Sequence, residues 1–131
     1  MASSLGVGRT PGRLQIAQQR GALSRFTTDL AQGVQQADLV VVCTPVATIA
    51  DHVKRIAPLC PAGSLITDAG STQGEIRRSR SGPLQGRADF VGSHPMAGSE
   101  KSGPEFADAG LFEGSVTIVT PTGRSAEQHR Q

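Results

Sequence analysis

The stretch Leu39-Val-Val-Val-Cys43-Thr44-Pro45 decides the fold class of this chain. Its run of apolar, mostly β-branched residues predicts a strand covered on both faces, as strands of parallel sheets are. Thr44-Pro45 ends that strand. Apolar residues then recur at helical spacing, with Asp51, Lys54 and Arg55 on the opposite side. A buried strand followed directly by an amphipathic helix predicts an α/β protein.

Strand and helix patterns alternate along the rest of the chain. Pro11 can begin a helix that Gly21 ends, and Asp29 is available to cap a polar helix at 29–36. The other predicted elements are strands at 4–8, 24–27, 64–67, 89–91 and 115–119 and a short basic helix at 72–79. We therefore expect a partial Rossmann-like parallel sheet with crossover helices over residues 1–122, followed by a polar tail at 123–131.

The composition argues against several classes of protein. The chain has 131 residues, a net charge of +2 and no Trp or Tyr, which speaks against binding to nucleic acid. Its longest apolar run is too short to cross a bilayer, and its first residues do not have the pattern of a secretory signal. Two cysteines make no disulfide framework, and Cys43 is expected to be a small buried residue. These features favour a cytoplasmic protein.

Polar residues follow three of the predicted strands: Thr44-Pro45, Asp68 to Ser71, and Ser93-His94. In open parallel sheets, ligands bind beyond the carboxyl ends of the strands. We therefore expect a site along this edge, and we expect His94 to lie in a turn directly after its strand.

His94 has two interpretations. It can act as a general base, because a histidine titrates near neutral pH, or its ring can tie down the glycine-rich turn around it. Ser71 can orient a substrate hydroxyl or the imidazole, and it can equally cap the helix predicted at 72–79. Ser99, Glu100 and Lys101 can bind a polar substrate or form a solvated loop. Metal binding is not expected, because the histidines and cysteines lack the spacing of a metal site.

The glycines at the N-terminus imitate a dinucleotide-binding fingerprint in Gly6-Val-Gly8-Arg9-Thr10-Pro11-Gly12. The third glycine comes one position late, and too few residues precede Gly6 for a full strand. We interpret Arg9 and Thr10 instead as the end of the second strand of a Rossmann unit, which faces the adenosine ribose. An arginine there can accommodate the extra phosphate of NADP.

Together these segments resemble the prephenate dehydrogenase family, which includes the arogenate dehydrogenases. The resemblance runs from about Leu5 to Thr122, and its most specific part is the histidine segment. It is carried by Asp38-Leu-Val-Val-Val-Cys-Thr-Pro45, Leu65-Ile-Thr-Asp-Ala-Gly-Ser-Thr72, Gly92-Ser-His-Pro-Met-Ala-Gly-Ser-Glu-Lys-Ser-Gly103 and Leu111-Phe-Glu-Gly114.

The resemblance implies the oxidative decarboxylation of prephenate to 4-hydroxyphenylpyruvate, or of arogenate to tyrosine, in tyrosine biosynthesis, with NAD or NADP as cofactor. It implies that His94 accepts the proton of the ring hydroxyl and that Ser71 helps hold that hydroxyl. Ser99 and Glu100 match residues of the substrate pocket, and we assign their neighbour Lys101 to it as well. We assign Thr44, Pro45 and Asp68, together with Arg9 and Thr10, to the cofactor.

Two departures from the family pattern lead us to expect an incomplete chain. The family begins with a strand and a Gly-x-Gly-x-x-Gly turn, and it ends in a helical domain that makes the homodimer; neither is recognisable here. A sheet without its first strand should expose apolar edges. A non-catalytic Rossmann-like remnant or interaction module therefore stays open as an alternative. The histidine segment argues against a third possibility, a β-hydroxyacid dehydrogenase.

Overall fold

The structure is a computed structural model that describes residues 3–69, 88–96 and 103–121. Its strands form two sheets, one of two parallel strands and one of four strands in the order β3-β4-β5-β6. The strands are β1 (Leu5–Val7), β2 (Arg25–Thr27), β3 (Leu39–Val42), β4 (Leu65–Asp68), β5 (Asp89–Pro95) and β6 (Thr117–Pro121). The α/β fold class predicted from sequence is confirmed. The predicted helix at 72–79 and the predicted tail at 123–131 lie outside the described residues.

The helices begin and end where local chemistry favours it. They are α1 (Pro11–Gln19), α2 (Leu30–Val34) and α3 (Val46–Ile56), with 3-10 turns at Ala57–Leu59 and Pro104–Phe106. Pro11 stands in the first turn of α1, where a missing N–H costs nothing, and Gly21 follows the helix with a φ of 81°. The Asp29 carboxylate caps α2 by accepting a hydrogen bond from the Gln32 N–H at 3.2 Å. No helix in the part of the chain that the structure describes is long and apolar enough to cross a membrane.

The core lies between α3 and the four-stranded sheet. Ile49, Val53 and Ile56 fall on one face of α3, and none is more than 2% exposed. They pack in one cluster with Val42, the last residue of β3, and with Ile66 of β4. Because burying a side chain of this size contributes about 1.5–3 kcal/mol, this helix–sheet contact is a main source of stability.

A second, smaller contact joins α2 to β1. Gly33 allows the close approach, because a Cβ at that position would lie 2.2 Å from Cγ2 of Val7. A larger residue would therefore push α2 away from the two-stranded sheet.

β3 is only partly the buried strand that its apolar run predicts. Val42 is buried and Val40 half-buried, but Leu39 and Val41 are 55% and 51% exposed. β3 is an edge strand of the four-stranded sheet, and the alternation shows that one of its faces is covered while the other is exposed. Cys43, which was expected to be buried, is also exposed.

The strand predicted at 89–91 is longer than expected. β5 runs to Pro95, so His94 lies within a strand rather than in a turn. The reason is β6, which pairs antiparallel with β5 and places Ile118 opposite His94. The sheet is therefore mixed, with parallel pairing in β3-β4-β5 and antiparallel pairing at β6. β6 itself ends at Pro121, which is tolerated at the end of an edge strand.

Candidate functional site

Two of the predicted strand ends lie side by side at one edge of the four-stranded sheet. β3 and β4 are parallel and in a register that pairs Val42 with Asp68, the last residue of each strand. The Ala69 N–H continues this pairing by donating to the Val42 carbonyl at 3.3 Å. The structure therefore brings the Thr44-Pro45 connection and Asp68 to the same edge, as parallel strands require.

β5 extends past this edge and carries His94 with it. The parallel pairing of β4 with β5 ends at Thr67 and Val91, whereas the antiparallel pairing with β6 continues to Pro95. His94 is half-buried. Its Nδ1 atom is buried and has no hydrogen-bond partner among the described residues. A buried polar atom without a partner is costly, so in native proteins such an atom calls for an explanation, often a functional one.

Asp68 is the best-protected polar group at this edge. It is fully buried, and its carboxylate Oδ1 accepts a hydrogen bond from the Ser93 N–H at 3.2 Å. The Ser93 hydroxyl donates in turn to the main-chain carbonyl of Asp68 and accepts a hydrogen bond from the Thr67 hydroxyl at 3.1 Å. The carboxyl end of β4 is thus tied to β5 by side-chain hydrogen bonds at the point where the ladder of backbone hydrogen bonds stops.

Sequence reasoning missed this connection. The sequence patterns place Ser93 and Thr67 at the ends of predicted strands, but they predict no hydrogen bond of either residue to the other or to Asp68. The available signal was their position, since both are hydroxyl residues at the ends of neighbouring strands. The burial of Asp68 favours a role within the protein over direct contact with a nucleotide. The assignment of Asp68 to the cofactor stays a prediction.

The connection from β3 to α3 is held by the hydroxyl of Thr48. That hydroxyl lies 2.7 Å from the Pro45 carbonyl and 3.1 Å from Oγ1 of Thr44. Thr44 is half-buried and Pro45 exposed. The first turn of α3 is therefore anchored at the same sheet edge as Asp68, and the Thr44 hydroxyl lies close to it.

Cys43, between β3 and Thr44, is not suited to nucleophilic chemistry. Although the residue as a whole is exposed, desolvation of its thiol raises the pKa of Cys43, and the Asp68 carboxylate raises it further. The thiolate is the reactive form of cysteine, so this thiol is less reactive than an ordinary one at neutral pH.

Arg9 and Thr10 lie at the carboxyl end of β1, in the other sheet. Both are exposed, and the Thr10 side chain makes no capping hydrogen bond to α1. The Gly8 N–H just before them donates to Thr27 of the parallel strand β2. An exposed guanidinium at the carboxyl end of a parallel strand has the position expected for contact with a nucleotide ribose.

Four predicted site residues, Ser71, Ser99, Glu100 and Lys101, lie outside the described residues. Within the described ranges, no three residues among His, Cys, Asp and Glu come together as a possible metal site. What the structure does place together is the Thr44-Pro45 connection, Asp68 and the strand that carries His94.

Comparison with known proteins identifies relatives over almost the whole chain. A family model described as prephenate dehydrogenase, nucleotide-binding domain, matches residues 3–130. Prephenate dehydrogenase of Lactococcus lactis subsp. cremoris is 40% identical over 107 residues, which make up 80% of this chain and 30% of that protein. The crystal structure of prephenate dehydrogenase from Aquifex aeolicus superposes with a TM-score of 0.85 at 31% identity, covering 98% of this chain and 46% of that one.

The same Aquifex protein has been solved in complex with hydroxyphenyl propionate and NAD+, and that structure superposes with a TM-score of 0.78 at 27% identity over 98% of this chain. It too is longer, since the match covers 44% of its chain. The chain thus spans about a third to a half of the length of these relatives.

Proposed function

Because this chain belongs to the prephenate dehydrogenase family, we propose that it forms the nucleotide-binding part of an enzyme that oxidatively decarboxylates prephenate or arogenate with NAD(P). The observation that carries the proposal is the Nδ1 atom of His94, which is buried, has no hydrogen-bond partner among the residues that the structure describes, and lies on β5 near the carboxyl ends of β3 and β4. An imidazole with an unsatisfied nitrogen at a ligand-binding edge is suited to accept or donate a hydrogen bond to a bound molecule.

In this proposal His94 acts as general base toward the ring hydroxyl of the substrate. When His94 takes up the hydroxyl proton, electron density rises at the ring carbon that carries the hydroxyl group. This favours departure of a hydride from that carbon as its carbonyl forms. Cleavage of the bond to the carboxylate then releases carbon dioxide, its electron pair enters the ring, and the carbonyl oxygen takes back a proton as the ring becomes an aromatic phenol. A bound nicotinamide supplies the hydride acceptor for this chemistry. The chain's own task is to hold the base and align it, a contribution that general acid–base catalysis puts at about 10²–10⁴-fold.

The residues present fit a nicotinamide dinucleotide. The Thr44 hydroxyl and the first turn of α3 lie at the edge where such ligands bind, and β4 separates them from β5, the strand that carries His94. Arg9 offers an exposed cation at the end of β1. Ser71, Ser99, Glu100 and Lys101, which lie outside the described residues, are proposed to line the substrate side.

The test of the proposed reaction is a chimera in which this chain replaces the matching segment of the Lactococcus lactis prephenate dehydrogenase. We expect prephenate- or arogenate-dependent reduction of NAD(P)+, measured by absorbance at 340 nm, and a loss of about a hundredfold or more in kcat for His94→Asn. The isolated 131-residue chain should show little or no turnover. An active chimera whose kcat is unchanged by His94→Asn would return His94 to a structural role, and an inactive but folded chimera would favour a non-catalytic remnant.

We further propose that the cofactor is NADP rather than NAD, on the basis of Arg9. A guanidinium at this strand end can pair with the ribose phosphate that distinguishes NADP, whereas an acidic residue there favours NAD. A charge-assisted hydrogen bond of about 1.5–3 kcal/mol corresponds to roughly a tenfold to hundredfold difference in affinity.

Binding measurements on the chimera test this choice. Arg9→Ala should weaken NADP+ binding by about tenfold or more and change NAD+ binding little, as measured by calorimetry. Arg25→Ala is the matched control, because Arg25 is an exposed arginine at the opposite, amino end of the same sheet. Equal losses for the two variants, or equal losses for the two nucleotides, would contradict the proposal.

A further inference from the structure

Asp68 occupies an unusual position for a carboxylate. It is the last residue of β4 and has no exposed surface, although burying a charged group is costly unless the protein satisfies it. The structure satisfies it in part with a hydrogen bond from the Ser93 N–H. The residue that follows Ser93 in the strand is His94, so the carboxylate holds the backbone directly before the proposed base.

The hydrogen bonds around Asp68 take the place of backbone hydrogen bonds between β4 and β5 at the point where the pairing of these two strands ends. Beyond the pair of Thr67 and Val91 the two strands are no longer paired by backbone register. From there Ser93 is held on the β4 side by its N–H bond to the Asp68 carboxylate and by its hydroxyl bond to the Asp68 carbonyl. On the other side, the register of β5 with β6 pairs Ser93 with Val119 and His94 with Ile118.

This arrangement fixes the direction in which the His94 side chain leaves the strand. Side chains alternate between the two faces of a strand, so a residue anchored on both sides sets the face and the tilt of the next one. Without the Asp68 carboxylate, Ser93 would lose the hydrogen bond of its N–H on the β4 side, and its hydroxyl bonds to the Asp68 carbonyl and to Thr67 would remain.

We propose that Asp68 is a positioning residue, which holds His94 in its working orientation through the Ser93 N–H. This inference rests on the proposed role of His94 as base, and it replaces direct cofactor contact as the function of Asp68. It predicts that loss of the carboxylate disturbs Ser93 and His94 while leaving nucleotide affinity nearly unchanged.

The first test uses NMR on the 131-residue chain and needs no activity. Asp68→Ala should speed hydrogen exchange of the Ser93 amide by about tenfold or more and shift the ring resonances of His94. Asp68→Asn keeps an acceptor oxygen of the same reach, so it should restore most of the Ser93 protection. Asp89→Ala is the matched control, since Asp89 is also a buried carboxylate but lies at the opposite end of β5, about 16 Å from His94.

If Asp68→Ala does not fold, the hydrogen bond from the Ser93 N–H to the Asp68 carboxylate can still be tested in the unsubstituted chain. A scalar coupling across the hydrogen bond, from the Ser93 amide nitrogen to the side-chain carboxyl carbon of Asp68, is expected. Its absence overturns the proposal, as does an unchanged Ser93 exchange rate in Asp68→Ala or an equal effect of Asp89→Ala.

The second test separates positioning from cofactor contact in the chimera. Asp68→Ala should lower kcat by tenfold or more with the Kd for the nucleotide within about twofold of the unsubstituted value. A rise in that Kd with kcat preserved would restore the cofactor role and overturn positioning. If the chimera is inactive because the proposed function fails, the NMR experiment still shows whether Asp68 orients His94.

Discussion

The substitution Ile49→Ala tests whether the contact between α3 and the four-stranded sheet is a main source of the stability of this chain. Ile49 is 1% exposed and packs in the cluster between α3 and the sheet. Replacing it removes three carbons, which at about 0.8 kcal/mol per buried methylene is about 2.4 kcal/mol. The cavity left behind raises the expected loss in free energy of unfolding to about 3–4 kcal/mol.

The assay is urea denaturation followed by circular dichroism, with Ile16→Ala as the matched control. Ile16 is also a helical isoleucine, but it is 40% exposed. Ile16→Ala should therefore lower the free energy of unfolding by about 1.4 kcal/mol or less, because only a little more than half of the Ile16 side chain is buried and no closed cavity forms. Alanine improves helix propensity by a similar small amount at both positions, so that contribution cancels in the comparison.

Equal losses at Ile49 and Ile16 would refute this account of the core. So would a change in the urea slope for Ile49→Ala, because the slope reports the surface exposed on unfolding and would mean that a different structure is being unfolded. If Ile49→Ala is too unstable to purify, Ile49→Val should still cost about 0.5–1.5 kcal/mol.

Three further predictions follow from local features. Asp29→Ala should lower the free energy of unfolding by about 1 kcal/mol in urea denaturation because the cap of α2 is lost, whereas Asp29→Asn, which can still cap, should stay within a few tenths. Burial raises the pKa of Cys60 against a smaller lowering by its hydrogen bond with Ser64, so the unfolded chain ionises first. The free energy of unfolding should therefore keep its full value below the ordinary thiol pKa of about 8.5 and fall above it by up to about 1.4 kcal/mol per pH unit. Urea denaturation over this pH range should show a steeper fall than in a Cys60→Ala control. Val41→Lys should reduce self-association of the chain in light scattering because it places a charge on the exposed edge strand β3, and an unchanged or increased association would count against that edge as the contact.

The position of the candidate site could be predicted from the sequence, but the hydrogen bonds within it could not. The sheet edge and the residues Thr44, Asp68 and His94 follow from the rule that parallel strands place their carboxyl ends together. The structure brings Thr44 and Asp68 to that edge, with His94 on β5, the strand next to that of Asp68. The bond from Ser93 to the Asp68 carboxylate could not be predicted, because it depends on where two strands stop pairing with each other. Register is a property of the assembled sheet rather than of either segment.

The relatives agree with the fold and leave the substrate to experiment. This chain spans 30% of the length of one relative and 46% of the length of another. The choice between prephenate and arogenate is best tested in the chimera, because both substrates can be offered to the same protein and their turnover compared.

The sequence by itself determined the local elements. Pro11 and Gly21 bound α1, Asp29 caps α2, and the apolar positions of α3 set its buried face, because each depends only on neighbours within a turn or two of helix. The tertiary structure alone decided which face of β3 is exposed, how far β5 runs and what holds His94. Those features depend on pairing between segments far apart in the chain, as between His94 and Ile118, and on burial that exists only once the sheet is assembled.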